Sequence, residues 1–389
     1  MPETLSPLAQ VSVIVYFVSF PHSRRKQHMQ IGIVGLPFSG KSTLFQAITG
    51  THIDPQALAR GDVHHGVVKV PDARLDRLAE TYAPKKTTHA AIEFVDVIGL
   101  KKGESGSTQF TTNFFNNVKN NDALVQVVRA FASDVVPHPD GTIDVMRDVV
   151  TFETEFILAD LAILETRIDR IKKQPGKAGD VQAKLELPVL EKCHGLLEQE
   201  KPLRDVAFTK EETTILKTYQ LLSLKPMLIA LNCDESQVQD ASRLVEQVAA
   251  KKSGLWTRVV AFFGKIDMEM SELPADEARA FMGEYGITEP AVNTLIREAY
   301  TLLGLQSFLT AGADECRAWT IRKGMTAQES AGVIHSDFFG KFIRAEVVQF
   351  TDFIAHGASF ARAKEAGCWR LEGKEYIVKD GDIMEIRHS

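Results

Sequence analysis

The chain has 389 residues, of which 44% are hydrophobic and 25% are charged, and its formal net charge is -6. This composition is ordinary for a soluble globular protein of roughly two or three domains. The acidic balance gives no general attraction to nucleic acid or to acidic membrane surfaces. The four cysteines lie far apart and form no CxxC pair, so we expect reduced thiols, without a disulfide framework or a structural zinc.

Residues 1–28 differ from the rest of the chain. Their apolar run, residues 11–20, is too short to span a bilayer as a helix. The basic residues follow this run, whereas a secretory signal peptide needs them before it. We interpret residues 1–28 as an N-terminal extension that the fold does not require. An added edge strand or interaction arm and a membrane anchor are the alternatives.

Short apolar runs alternate with helical segments through much of the remaining chain. The runs occupy residues 30–34, 91–97, 123–128, 227–231 and 257–262. This alternation predicts a mainly parallel sheet covered on both faces. Beyond about residue 305 shorter runs, separated by turn signals, predict strands at residues 316–321, 342–348, 376–378 and 383–386 of a small α+β module.

A different pattern spans residues 143–173, where apolar side chains recur at nearly heptad spacing. They predict one long helix with a single seam, made of Val150, Ile157, Leu161, Leu164, Ile168 and Ile171. A break at residues 175–179 precedes a second helical stretch, which Pro188 is expected to kink. The pair predicts an antiparallel helical (coiled-coil) arm inserted in the sheet domain. Thr209-x-x-Glu212 is a capping box that predicts the start of a third helix.

Residues 35–42, GLPFSGKS, fit the pattern GxxxxGK[ST] between a predicted strand and a predicted helix. In this setting the backbone N–H groups of the loop turn inward around phosphates, and the helix N-terminus adds its dipole. We expect Lys41 to contact the β- and γ-phosphates and Ser42 to bind Mg²⁺. The predicted nucleotide-binding loop consists of Gly35, Leu36, Pro37, Phe38, Ser39, Gly40, Lys41, Ser42 and Thr43.

A DxxG motif, Asp96 to Gly99, follows the predicted strand 91–97. In GTPase-like folds such a motif places its carboxylate near Mg²⁺ and its glycine N–H near the γ-phosphate. We therefore interpret Asp96 as a metal ligand and Gly99 as a phosphate contact. Leu100 stands where Ras-like proteins carry the glutamine that orients the attacking water, so the water must be positioned from elsewhere.

The strand 227–231 ends in NCDE, where guanine-specific proteins carry NKxD. The aspartate of NKxD accepts hydrogen bonds from two donors of guanine, a pair that adenine does not offer. Because the longer Glu235 lacks the correct fork geometry, we expect guanine preference to be lost. Asn232, Cys233 and Glu235 are the predicted base contacts, and a solvated loop is the alternative.

Together these motifs resemble the YchF (Obg-like) ATPases, a branch of the Obg group of P-loop proteins. The matching stretches are GLPFSGKSTLF (35–45), VPDARLDRL (70–78), EFVDVIGL (93–100) and NCDE (232–235). The C-terminal stretches are the most specific and are similar to the TGS domain of that family. They are RAWTIRKG (317–324), AGVIHSDF (331–338), FIRAEV (342–347), and AKEAG followed by WRLEGKEYIVKDGDIMEIR (363–387).

The resemblance implies an α/β architecture in four parts after the extension 1–28. These are a P-loop G domain at residues 29–136 and 205–304, an inserted helical domain at 137–204, and a β-grasp (TGS) domain at 305–389. It further implies a cytoplasmic protein that slowly hydrolyses ATP in preference to GTP with Mg²⁺, and that contacts the ribosome and no membrane. Counted from the VVR segment, His138 corresponds to the catalytic histidine of the family and acts with Lys41. An exposed loop histidine is the alternative.

Three departures from the family pattern concern the switching apparatus. Phe38 replaces an asparagine that is linked to potassium binding, and Arg60 stands near an expected threonine of switch I. The glycine-rich loop after DxxG is also shortened, at residues 101–110. Because the phosphate cradle is intact, nucleotide binding is expected more firmly than rapid turnover. The alternatives are a nucleotide-gated interaction module with little hydrolysis and a GTP-preferring GTPase of the Obg type.

Overall fold

The computed structural model describes residues 29–51, 63–97, 100–102, 108–173, 181–252 and 254–389. The extension 1–28, Arg60 of switch I and the break at 175–179 therefore lie outside the described residues. In chain order the strands are β1 (Gln30–Gly35), β2 (His64–Lys69), β3 (Lys86–Thr88), β4 (Ala91–Asp96), β5 (Leu100–Lys102), β6 (Thr108–Phe110), β7 (Ala123–Arg129), β8 (Met227–Asn232), β9 (Thr257–Phe262), β10 (Leu305–Thr310), β11 (Glu315–Arg322), β12 (Phe342–Gln349), β13 (Arg370–Glu372) and β14 (Asp382–His388).

Helices connect most of the main-sheet strands, singly or in groups of three. They are α1 (Lys41–Thr49), α2 (Ala73–Tyr82), α3 (Thr112–Lys119), α4 (Val145–Lys173), α5 (Val181–Glu198), α6 (Lys210–Leu216), α7 (Ala241–Lys252), α8 (Gly264–Glu272), α9 (Ala275–Tyr285), α10 (Ala291–Leu302), α11 (Ala327–Ile334), α12 (Ser336–Lys341), α13 (Phe350–Ala355) and α14 (Phe360–Glu365). Within the described residues, none of them combines the length and the apolar character needed to cross a membrane.

The main sheet has the strand order β2-β4-β1-β7-β8-β9. All neighbours pair in parallel except β2, which runs antiparallel to β4. Every residue of β7 and β8 is buried, because helices cover both faces of central parallel strands. The predicted α/β fold is confirmed. Since parallel strands end at one edge of a sheet, Gly35, Arg129 and Asn232 are brought together there.

Two apolar layers cover the main sheet. On one face Phe45 of α1 and Leu295 of α10 belong to a core that continues without a break into the C-terminal part, as far as Phe353. On the other face Phe114 of α3 and Phe152 of α4 pack together with their rings nearly edge to face. The second layer therefore fixes the base of the helical arm against the sheet.

The helical arm begins as predicted, but its apolar seam is not single. Val150, placed in the seam by its spacing, is 40% exposed, so this part of the prediction is wrong. The first half of α4 turns Val149 toward the sheet, and only from Ile157 onward does the helix pack against α5, through Leu164 among others. The row of buried side chains on α4 shifts around the helix because its first half packs against the sheet and its second half against α5. The capping box at Thr209 is present as predicted and starts α6.

A second sheet, of order β13-β12-β14-β10-β11-β3, forms most of the C-terminal part. Its edge strand β3 comes from the segment between α2 and β4, and pairs in parallel with β11. The predicted strand at residues 376–378 is wrong, because only an isolated bridge joins Ile377 to Thr326. The two sheets are further tied by Arg74, which donates to Asp380 at 2.8 Å, and by the Tyr82 hydroxyl, which donates to the Ala358 carbonyl at 2.6 Å.

The buried carboxylate of Asp160 joins the arm to the G domain. It accepts three hydrogen bonds, from the backbone N–H groups of Leu222 and Ser223 at 2.8 Å each and from the Ser223 hydroxyl at 2.6 Å. Burial raises the pKa of Asp160 to about 6, while these three donors oppose the rise. The helix is therefore held by one side chain that satisfies two backbone donors at the foot of β8.

We expect Asp160→Asn to destabilise the protein by about 2–3 kcal/mol, because the amide retains one acceptor oxygen and places an N–H₂ group against a donor. The measurement is the urea midpoint of the helical circular-dichroism signal. Asp169→Asn, on the same helix but exposed and paired with Lys173, is the matched control and should change stability by less than about 0.5 kcal/mol. Equal midpoints for the two variants would show that Asp160 does not hold the arm.

Candidate nucleotide-binding site

The loop between β1 and α1 is shaped by two left-handed residues. Gly40, the N-cap of α1, has φ 100°, and a Cβ placed on it would lie 2.1 Å from the Asn232 side-chain nitrogen. Only glycine allows the loop to approach β8 so closely. Phe38 has φ 62° and is 54% exposed, although a bulky residue rarely adopts this conformation. This backbone conformation costs about 1–2 kcal/mol, and the contacts of the surrounding loop hold Phe38 in it.

The Lys41 ammonium group lies inside this loop. It donates to the carbonyl oxygens of Gly35 at 3.0 Å and Leu36 at 2.9 Å. Desolvation lowers the pKa of Lys41 to about 8, although the negative charge of Asp96 opposes this shift. A desolvated cation that donates to neutral carbonyl groups favours an anionic ligand such as a phosphate.

Ser42 and Asp96, predicted from separate motifs, are brought together. The Ser42 hydroxyl donates to Asp96 Oδ2 at 3.4 Å. Asp96 is 1% exposed, and its Oδ1 is buried with no hydrogen-bond partner among the described residues. Burial raises the pKa of Asp96, while Lys41 and His64 oppose the rise. Gly99 and the side chain of Leu100, also singled out by the sequence, fall outside the described residues.

His64 is a site residue that sequence reasoning missed. It is the first residue of β2 and lies directly opposite Asp96 in the antiparallel register. Its Nε2 atom is buried, and no hydrogen-bond partner for it lies in the part of the chain that the structure describes. The available signal was the His64-His65 pair two residues before a Val-Val strand, but no local rule places that pair beside a carboxylate.

Asn232 braces the phosphate loop. Its side-chain nitrogen donates to the Ser39 carbonyl at 3.0 Å, and its oxygen accepts from the Gly264 N–H at 3.1 Å. The sequence predicted Asn232 as a base contact, but both ends of its amide bind the backbone of neighbouring loops. The residue lies at the wall of the adjoining cavity.

A cavity of about 420 Å³ opens beside Gly40 and Thr43 at the ends of β8 and β9. Its apolar walls come from Phe131, Phe263 and Met268, side chains that can pack against a flat ring. The predicted base contacts Cys233 and Glu235 also line it. Burial raises the pKa of Cys233 to about 11, so its thiol is neutral at physiological pH.

The polar rim of this cavity is an ion pair. Glu235 lies 3.3 Å from the ammonium group of Lys265, and both side chains are exposed to solvent. This arrangement offers a hydrogen-bond acceptor and a donor side by side at the cavity mouth. Lys265 and Phe131 were not identified from the sequence, because one lies in the first turn of α8 and the other in the loop after β7, both distant in the chain from the NCDE motif.

His138 lies beside the phosphate loop and not on the surface. It is 8% exposed and borders Leu36, Pro37 and Ser39, which excludes the exposed loop histidine considered as an alternative. Its Nε2 lies 2.9 Å from Asp148 Oδ2, and its Nδ1 accepts from the backbone N–H of Asp140 at 3.2 Å.

This hydrogen bonding fixes the protonation of the ring. Because Nδ1 acts as an acceptor, the hydrogen of a neutral imidazole is on Nε2 and is donated to Asp148. Asp148 is itself oriented by Arg147, which donates to its Oδ1 at 2.8 and 2.9 Å. Neither nitrogen of His138 is therefore free to take a proton from water in this arrangement.

The left-handed glycine of the loop gives a direct test of its role. We expect Gly40→Ala to weaken the binding of a fluorescent ATP analogue by about 10-fold or more, because the new methyl group breaks the Asn232–Ser39 hydrogen bond. Gly50→Ala is the matched control, since Gly50 has φ 63° at the other end of α1 but no atom within 4 Å of the added carbon. Similar affinities in the two variants would contradict a steric requirement at Gly40.

Comparison with known proteins places these features in a family. Residues 30–159 match the model described as 50S ribosome-binding GTPase, and residues 305–389 match YchF-GTPase_C, described as a protein of unknown function. The chain is 43% identical over 362 residues to "Ribosome-binding ATPase YchF" of Bacillus subtilis, covering 92% of this chain and 98% of the relative. It is 42% identical over 359 residues to the protein of that name from Escherichia coli O157:H7, covering 91% and 98%.

The solved structure of the Schizosaccharomyces pombe YchF GTPase is similar across the whole chain. The TM-score is 0.79 at 29% sequence identity, and the match covers 94% of this chain and 99% of the other. The resemblance inferred from the motifs is thus confirmed over both the G domain and the C-terminal part. This chain is a member of the YchF family of P-loop nucleoside triphosphatases.

Proposed function

We propose that this chain binds ATP, hydrolyses it slowly in the cytoplasm, and uses its nucleotide state to control contact with the ribosome. Relatives that match nearly their whole length carry the name ribosome-binding ATPase. The observation that carries the proposal is the phosphate loop, in which the buried Lys41 ammonium donates to two carbonyl oxygens and lies near the buried carboxylate of Asp96. A triphosphate bound there would supply the missing negative charge.

Mg²⁺ fits the same site. The hydroxyl of Ser42 and the unpartnered Oδ1 of Asp96 are hard oxygen donors, which Mg²⁺ prefers, and they are held close together at the end of β4. When bound, the ion would neutralise charge on the β- and γ-phosphates. Lys41 adds a second positive charge, and the N-terminus of α1 orients the phosphate chain.

The cavity beside the loop supports a preference for adenine. Glu235 replaces the aspartate that would accept from two guanine donors, and it is paired with Lys265 at the rim. Lys265 can donate to the adenine ring nitrogen while Glu235 accepts from the exocyclic amine. Phe131 supplies an apolar face for the ring.

We expect the double variant Glu235→Asp with Cys233→Lys to shift the ATP-to-GTP affinity ratio toward GTP by about 10-fold, because it restores the NKxD pattern and its fork geometry. The ratio is measured by competition of each nucleotide against a fluorescent analogue. Glu246→Asp, the same shortening at an exposed position of α7, is the control and should leave the ratio unchanged. An unaltered ratio in the double variant would show that the base is recognised elsewhere.

His138 is the proposed catalytic base, and its hydrogen bonding is the physical reason that we propose slow hydrolysis. The imidazole can act on the attacking water only after the Nε2–Asp148 hydrogen bond is broken and the loop that carries it moves. Ribosome contact would stimulate hydrolysis by favouring the released state.

We expect His138→Ala to reduce single-turnover ATP hydrolysis by about 10-fold or more while ATP affinity is retained. His194→Ala, on the distant helical arm, is the control, and Lys41→Ala defines the rate without bound nucleotide. The rates are measured with and without ribosomes, alongside co-sedimentation in each nucleotide state. An unchanged rate for His138→Ala would overturn its catalytic role, and absence of nucleotide-dependent co-sedimentation would overturn the switch.

The engaged ring nitrogens of His138 favour one second candidate, a nucleotide-gated interaction module with little hydrolysis. In that case nucleotide binding alone would change ribosome contact. Ribosome binding that depends on ATP, with no stimulated hydrolysis and no effect of His138→Ala, would select this function.

A further inference from the structure

Arg129, the last residue of β7, is a buried cation that the proposed chemistry leaves unexplained. It is 2% exposed, and within the described ranges no carboxylate lies at ion-pair distance from it. Its NH1 atom is also buried and has no hydrogen-bond partner among the residues that the structure describes. An unpaired buried charge is costly, so its presence calls for a specific role.

The guanidinium group holds the loop that follows β7 at two points. Its Nε donates to the carbonyl of Phe131 at 3.1 Å, and its NH2 donates to the carbonyl of Val136 at 2.7 Å. Its central carbon also lies 4.5 Å from the centre of the Phe131 ring, in a cation–π contact. A planar group with several fixed donors is needed to make these three contacts at once.

The two ends of this held segment face different parts of the site. Phe131 lines the cavity that we assign to the base, whereas Val136 lies two residues before His138. Arg129 and His138 also border the same small space under Leu36 and Pro37 of the phosphate loop. One guanidinium group therefore connects the base cavity to the backbone that carries the histidine.

We propose that Arg129 is a positioning residue that couples base recognition to hydrolysis: a base packed on Phe131 fixes the ring and guanidinium, and thereby the placement of His138. This inference rests on the proposed catalytic role of His138. It predicts that the base contributes to the rate of the chemical step and not only to affinity. A nucleotide without a base would bind less tightly and would also be hydrolysed more slowly once bound.

The test compares ATP with ribose 5-triphosphate, which lacks the base, in single-turnover experiments on the full chain. For the wild type we expect ATP to react about 10-fold faster at saturation than the base-free analogue. Arg129→Lys keeps the charge but loses the fixed geometry. It should lower the saturating rate with ATP to that of the analogue, leave the rate with the analogue unchanged, and alter ATP affinity by less than about 3-fold.

Arg258→Lys is the matched control. Arg258 also donates to two backbone carbonyls, of Gly254 at 3.0 Å and Thr257 at 2.9 Å, but it is exposed and lies at the start of β9. It should leave both rates unchanged. Phe131→Leu provides a second variant if Arg129→Lys is poorly folded, and it should abolish the rate difference between the two substrates in the same way.

The possible outcomes distinguish the proposed coupling through Arg129 from the proposed catalytic role of His138. Equal losses on both substrates in Arg129→Lys, with His138→Ala still impaired, would overturn the coupling and leave the catalytic histidine intact. Equal saturating rates for ATP and the analogue in the wild type would likewise overturn the coupling. An unimpaired His138→Ala would overturn the proposed catalytic role of His138 on which the coupling rests.

Discussion

The amide of Asn232 is the constraint on which the nucleotide-binding edge depends. One side chain at the end of β8 satisfies the Ser39 carbonyl of the phosphate loop and the Gly264 N–H at the start of α8. Both backbone groups are buried, so loss of the amide would leave each unsatisfied at a cost of about 1–3 kcal/mol. The same amide fills the space where a Cβ of Gly40 would lie. The Asn232 amide thus fixes the distance between the phosphate loop and the base cavity, because it binds the backbone on both sides.

Local patterns predicted the elements well, because the signals they use are local. A strand, a glycine turn and a helix are encoded within residues 30–49, and the capping box at Thr209 is complete in four residues. The errors occur where tertiary partners decide. Periodicity indicates that α4 has an apolar face, but it does not indicate that the helix leaves the sheet near Ile157 and joins α5, which leaves Val150 exposed. Likewise, three residues at β3 carry too little pattern to predict pairing with a sheet more than two hundred residues away.

The same distinction applies to the site. The contacts of Lys41, Ser42 and Asp96 follow from motifs whose spacing is imposed by the phosphate chain, and the structure brings these three together. Side chains that contact residues distant in the chain show no fixed spacing in the sequence, so motifs do not predict their contacts. His138 is held by Asp148, which lies ten residues further along the chain in α4, and both side chains border the same space beside the phosphate loop. Glycine at position 40 was predicted as part of a motif, but the reason for it, the approach of Asn232, is a property of the fold.

The segment from β2 to β4 connects the nucleotide-binding edge with the C-terminal sheet. It starts at His64 opposite Asp96, passes Arg74, which bonds Asp380, adds β3 to the second sheet, and returns to Asp96 at the site. The Arg74–Asp380 pair is partly exposed, so it contributes about 0–1 kcal/mol. Micromolar ligand binding supplies about 8 kcal/mol, but only the part that differs between two arrangements can shift their populations. Because the Arg74–Asp380 ion pair is weak, only a small difference in binding free energy between two arrangements is needed to break it. The chain from His64 to Asp96 thus borders the nucleotide-binding edge at both of its ends and carries, in Arg74 and β3, two of the contacts between the two sheets.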